Sequence, residues 1–285
     1  MGSNLKRLAI VPAALWAVAI AATGTAQAAD LLVEPVYEAP EVVTHAAGGW
    51  YIRGDISYDF NELGRPHYTS VWGGKVDFYS ASIDDSYDFQ LGVGYQANEN
   101  FRFDLTGEYV METDFNGRTY GYCNQAAEDA GELNCASEET SSFTAFKLLA
   151  NAYVDLGNFS GFTPYVGAGI GGAYVSWNNL NSVNTCTQFN NGVVCPDLTE
   201  GFTGTDASSS IALSQKGVEA WRFAWALHAG FSYDLTHNTK LDLGYTYSHI
   251  ESGDMFEWAT GNHTQGFDKG IESHVVKAGL RYQIW

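Results

Sequence analysis

From Trp50 onward the chain repeatedly alternates apolar and polar residues with a period of two. That is the spacing of a strand whose successive side chains point to opposite faces. In the clearest case Tyr87, Phe89, Leu91, Val93 and Tyr95 stand on one side, with Asp88, Gln90 and Gln96 on the other. Phe101, Phe103, Leu105 and Tyr109 likewise oppose Arg102, Asp104, Thr106 and Glu108, and Trp221, Phe223, Trp225, Leu227, Phe231 and Tyr233 oppose Arg222, His228, Ser232 and Asp234. With weaker stretches added, eight strands are predicted near 49–60, 86–97, 100–111, 141–156, 163–177, 219–236, 239–252 and 272–285.

The predicted connections alternate in length: 98–100, 157–162 and 237–238 are short, while 61–85, 112–140, 178–218 and 253–271 are long. Barrels that cross a membrane show this asymmetry, with short periplasmic turns and long external loops. Several of the strands exceed the roughly 9–11 residues a tilted strand needs to cross a bilayer, so they are expected to run past its outer surface. The expected fold is therefore all-β: an eight-stranded antiparallel transmembrane up-and-down β-barrel with short periplasmic turns and long extracellular loops.

Alternation alone does not say which face meets lipid, since a soluble barrel turns its apolar face inward. Two features point outward for the apolar face here. Aromatic residues gather near strand ends, where two interfacial girdles would lie: Trp50, Tyr58, Tyr95, Phe101, Tyr109, Tyr174, Trp221, Tyr233, Tyr247 and Tyr282. The polar face carries Arg53, Asp55, Asp88, Arg102, Asp104, Glu108, Lys147, Asp155, Arg222, Asp234, Asp242, Lys277 and Arg281, whose signs nearly balance although the whole chain has a formal charge of −19. Balance is what a narrow lumen of paired, hydrogen-bonded charges requires. The acidic excess makes nucleic acid an unsuitable partner, because a phosphate backbone is bound by clustered cations.

The N-terminus reads as an export signal. Lys6 and Arg7 precede an uncharged apolar run from Leu8 to Ala22, and a small-x-small site follows at Ala26-Gln27-Ala28. Cleavage is expected after Ala28 or one residue later, giving a signal peptide over 1–28, a periplasmic lead-in over 29–48 and a single barrel domain over 49–285. In an oxidising compartment the spacing of the four cysteines favours disulfides within the pairs Cys123 with Cys135 and Cys186 with Cys195, one of three possible connectivities.

The chain resembles the small outer-membrane β-barrel family, of the type of the OmpA membrane domain, and in particular the surface-antigen barrels of α-proteobacteria. The resemblance rests on the Ala-Gln-Ala-Ala-Asp processing region, Gly48-Gly49-Trp50-Tyr51-Ile52 opening the first strand and Lys277-Ala278-Gly279-Leu280-Arg281-Tyr282 in the last. It implies insertion by the barrel-assembly machinery, which in this family reads a terminal aromatic in step with the last outward face. Here Leu280, Tyr282 and Ile284 keep that step and Trp285 follows one position late.

Motifs of catalysis are sparse. Gly167-Ala168-Gly169-Ile170-Gly171-Gly172 matches the dinucleotide pattern, yet strand residues follow where a helix would have to begin. Its glycines are read as making room for long lumen side chains. Ser248, His249 and Glu251 are close in sequence, but alternation sends His249 outward and Ser248 inward. Asp84-Asp85-Ser86-Tyr87-Asp88 is the densest acidic run, without the glycine and terminal glutamate of an EF-hand loop. No cofactor, metal or enzymatic activity is expected. The expected role is an envelope structural and surface-exposed protein whose partners are outer-membrane lipid, lipopolysaccharide and a host or cell-surface ligand at the loops. The alternatives are a narrow passive channel for small solutes and a soluble ligand-holding barrel.

Overall fold

The computed structural model describes residues 48–69, 75–121, 135–187, 208–257 and 264–284. The expected signal, all but the last residue of the lead-in, Cys123, Cys195 and Trp285 lie outside them. Within the described residues the secondary structure is all strand, in chain order β1 Gly49–Leu63, β2 His67–Thr69, β3 Lys75–Asp77, β4 Ser80–Ile83, β5 Ser86–Gln96, β6 Phe101–Gly121, β7 Cys135–Asp155, β8 Phe162–Trp177, β9 Leu180–Thr187, β10 Ser208–Gly217, β11 Glu219–Asp234, β12 Thr239–Ile250, β13 Gly253–Glu257, β14 Thr264–Asp268 and β15 Ile271–Gln283.

Eight of these strands carry the fold. β1 pairs antiparallel with β5, β5 with β6, β6 with β7, β7 with β8, β8 with β11, β11 with β12 and β12 with β15. β15 returns to β1 over thirteen residue pairs, from Tyr51 opposite Gln283 to Leu63 opposite Ile271. The ladder thus closes on itself. Three tight connections lie at one end, between β5 and β6, β7 and β8, and β11 and β12. In the second, Gly157 and Gly161 take φ of +106° and +90°, values an L side chain rarely adopts.

Along most of the ring the apolar side chains point out. Ile56 and Leu91 are 60% and 72% exposed, while Arg53, Asp88 and Arg102 are at most 4% exposed. At the other end apolar side chains also turn inward, while Tyr79, Tyr120 and Val183 stay exposed. β6 carries one extra residue between Val110 and Thr113, a β-bulge that shifts its inward positions from even to odd numbers. Beyond it Phe115 turns inward and Glu112, Asp114, Asn116 and Arg118 turn out. Phe115, Phe143, Trp177, Leu180, Phe78, Met255 and Phe256 form an enclosed apolar cluster there, with edge-to-face packing of Phe115 on Trp177 at 5.8 Å between ring centroids.

The long connections are correspondingly not plain loops. β6 and β7 continue as a paired ribbon through 113–121 and 135–140, read from sequence as loop. β2, β3 and β4 occupy part of 61–85, β9 and β10 part of 178–218, and β13 and β14 part of 253–271. The physical reason is the cluster itself, which supplies a buried face for these segments after the outward apolar face ends.

Close approach of side chain to backbone sets where the ring tolerates a Cβ. A Cβ on Gly94 would fall within the ring of Tyr51 and 2.6 Å from the carbonyl of Phe103. Gly94→Val is expected to destabilise the fold by about 1–3 kcal/mol through overpacking, read as a lowered urea midpoint of unfolding. Gly121→Ala, where a Cβ meets nothing within 4 Å, should leave that midpoint unchanged.

Candidate functional site

The inward charges form linked layers. Near the tight-turn end, Arg102 donates from Nε to Asp155 at 3.0 Å, and its guanidinium lies 4.1 Å from the ring centre of Tyr153 and 4.5 Å from that of Tyr165. Two of its nitrogens have no hydrogen-bond partner, so the aromatic faces take the place of acceptors. Arg281 donates to Ser232 at 2.7 Å and to Asp242 at 3.2 Å. Arg53 grips Asp55 with a two-pronged pair at 2.9 and 2.7 Å and reaches Asp104 at 3.2 Å. Tyr51 donates to the same Asp104 oxygen at 3.0 Å.

One layer further in, Asn151 donates to Asp104 and Thr106 at 2.8 and 2.9 Å, and its carbonyl oxygen lies 3.1 Å from His228, which contacts Thr246 at 2.9 Å. Lys147 then pairs with Glu108, and Ser57 with Asp88. Asp59, Asp88 and Glu108 bring carboxylate oxygens within 4.8 Å of one another, a separation that a common cation could span. Lys147 and Lys277 line the gap beside Glu108 and supply positive charge of their own. That gap has a volume of about 10 Å³, room for at most one water. Above it Arg222 pairs with Asp268 at 2.6 Å, under the apolar cluster.

Asp234 stands apart from the buried set: its side chain is 33% exposed and pairs with Lys240 beside the last tight turn. The girdle residues Trp50, Tyr95, Phe101, Tyr109, Trp221, Tyr233 and Tyr282 are exposed on the outer wall, and Tyr58, Tyr174 and Tyr247 are half-buried there. Trp50 packs edge-on to Tyr95 at 5.4 Å, and Tyr174 tilts against Trp221 at 5.5 Å. Sequence reasoning missed Asp59, although it shares the parity of Arg53 and Asp55. It also missed Tyr51, Tyr153 and Tyr165, which point inward because the hydroxyls of Tyr51 and Tyr153 and the rings of Tyr153 and Tyr165 serve the charges.

The remaining motifs separate. Gly167 and Gly169 face inward, and a Cβ on either would overlap Tyr153 or Asn151. Ser248 is buried, whereas His249 lies on the outer face 3.8 Å from Glu251 and 3.9 Å from Glu272, so Ser248 and His249 do not converge. Asp85 accepts from Tyr58 at 3.1 Å on the outer wall, while Asp88 is buried in the lumen, so the acidic run shares no site. Cys135 and Cys186 face one another across β7 and β9, and no described cysteine is a free thiol. Outside the wall's apolar band, burial pushes the Glu139 carboxyl above its ordinary range, opposed by a hydrogen bond from Thr119.

Arg102→Met should cost about 3–5 kcal/mol, because it leaves the Asp155 carboxylate buried without its cation. The measurement is the urea midpoint of refolded protein, and a change within error would contradict a shared network.

The profile of the outer membrane protein beta-barrel domain family matches residues 15–283. An uncharacterized protein of Brucella abortus is 35% identical over 93% of this chain and 95% of its own length. A Rickettsia bellii protein whose provisional name is adhesin is 27% identical over 82% of this chain and 88% of its own. Among solved structures, Neisserial surface protein A is similar, at 16% identity, with 83% of this chain and 97% of that one covered and a TM-score of 0.43. With its family profile spanning nearly the whole sequence, the chain belongs to the outer membrane protein beta-barrel family.

Proposed function

We propose that the chain is a non-enzymatic surface protein of the outer membrane, an eight-stranded transmembrane barrel that anchors a structured outer end. The observation that carries this reading is the pairing of a filled, charge-networked lumen with an outer end that encloses an apolar cluster of its own. A conduit needs a continuous wet path. Here layers of Arg102 with Tyr153 and Tyr165, of Asn151 with His228, and of Phe115 with Trp177 lie one above another across the bore.

In this reading the exposed apolar band faces lipid and the tight turns face the periplasm. The bulge in β6 marks the level at which the wall leaves the bilayer. The cleaved leader delivers the chain to the barrel-insertion machinery, and the outer end meets lipopolysaccharide or the surface of a host or neighbouring cell. The provisional name of the Rickettsia bellii relative supports contact of that kind. We also assign the disulfides Cys123 to Cys135 and Cys186 to Cys195.

Refolded mature protein in a planar bilayer should give no discrete conductance, with heat-shifted gel mobility confirming the folded form. Steady unitary currents would favour the narrow passive channel instead and would make Arg102, Glu108, Lys147 and Arg222 its lining. Peptide mapping without reductant should recover the two short-range cysteine pairs; recovery of Cys135 joined to Cys186 would overturn the assignment.

A further inference from the structure

Two irregularities of the sheet meet at the same place on the outer wall. On one edge of β7 lies the β6 bulge between Val110 and Thr113. On the other edge β7 changes neighbour, pairing with β8 up to Phe143 opposite Trp177 and with β9 from Thr140 opposite Asn181. Ser141 and Ser142 fall between the two ladders. The wall carries there an open, shallow polar cleft of about 540 Å³ lined by Asp114, Thr140, Ser141, Ser142 and the asparagines 178, 179 and 181.

The cleft is organised before any ligand arrives. Glu112 accepts from Ser142 at 2.6 Å and from Asn178 at 3.0 Å, and Asn178 also donates to Ser142 at 2.9 Å. Ser141 donates to the Asn178 carbonyl at 2.9 Å. Asp114, Asn179 and Asn181 remain exposed at its mouth. The lining contains no lysine or arginine. Nearby Arg118 is engaged by Glu138 at 2.6 Å. Anionic groups are therefore disfavoured by Glu112 and Asp114, and apolar ligands find no side chain to cover.

We propose that this cleft binds the hydroxyl groups of a neutral carbohydrate. Carboxylate oxygens take hydroxyl protons in strong charge-assisted bonds, while each amide offers two donors and an acceptor. Adjacent sugar hydroxyls present matching donors and acceptors at the same spacing. The inference rests on the reading that this end of the ring stands outside the bilayer, just above the level of the bulge. The sugar's source is either a glycolipid of the same membrane or a glycan of another surface.

The test uses the full chain refolded in detergent micelles, its fold confirmed by heat-shifted mobility, titrated calorimetrically with neutral oligosaccharides and separately with purified lipopolysaccharide. Saturable binding to either, weakened about tenfold or more in Asp114→Ala and Asn181→Ala, is expected from loss of a charge-assisted or amide hydrogen bond. Lys216→Ala serves as the control. Binding to oligosaccharide alone identifies a foreign glycan, and binding to lipopolysaccharide alone a membrane glycolipid. A folded protein that binds neither, binds equally well in both variants, or saturates only with calcium chloride overturns the cleft assignment and leaves the barrel reading intact. A chain that never reaches the folded band in micelles overturns both.

Discussion

Backbone closure is the constraint on which everything else in this molecule depends. A strand in hydrocarbon has no water to satisfy its peptide groups, so each edge must find another strand, and the last must find the first. β15 meets β1 over thirteen pairs, leaving the ring of long strands without an open edge along that length. Closure at eight strands then fixes the bore at a width that side chains nearly fill. Period-two geometry does the rest: every residue between two outward-facing ones points into that bore, and it has to be compatible with its inward neighbours.

The interior meets this demand with charge rather than with hydrocarbon. If both faces of a strand were apolar, a one-residue slip in register would cost little; with charge on one face and Ile52, Ile56 or Leu91 on the other, a slip exchanges arginine for an apolar side chain at every position. The network thus specifies register, which the two-pronged Arg53–Asp55 pair and the stacking of Arg102 between two tyrosines hold locally. Such networks are costly when incomplete, because removing one partner leaves the other dehydrated and unpaired. The same density of contacts that secures the register closes the bore.

Much of this was legible in the chain because period two survives any packing detail. Asp88 and Leu91 lie on opposite faces whatever surrounds them, and the near balance of charge at the inward positions distinguished a lumen from a solvated surface. The tyrosines show where such reading stops. Tyr51, Tyr153 and Tyr165 have the inward parity, but residue type alone puts an aromatic in the girdle; only the guanidiniums beside them explain their direction. The outer ribbon was missed for a different reason. In Phe115-Asn116-Gly117-Arg118-Thr119-Tyr120 the alternation continues, but the bulge has changed its phase and the meaning of each face, and neither change is marked by a glycine or proline at 111–113. The cleft depends on pairings between distant strands and so has no local signature at all.

The bulge ties these features together. One inserted residue moves Phe115 and Thr119 inward and Asp114 outward, so the wall passes from a face suited to lipid to a face suited to water within a few residues. A continuous ladder without it would keep the even positions inward, burying Asp114 and Arg118 in the bore and exposing Phe115. Phe78 and Trp177 would then lose the ring they pack against, and the outer strands would lose part of the apolar face that holds them. The same insertion separates Glu112 from the ladder and leaves it free to accept from Ser142 and Asn178, which shapes the cleft mouth. Boundary, outer core and polar cleft are therefore consequences of a single register change, and a chain that removed it would have to give up all three together.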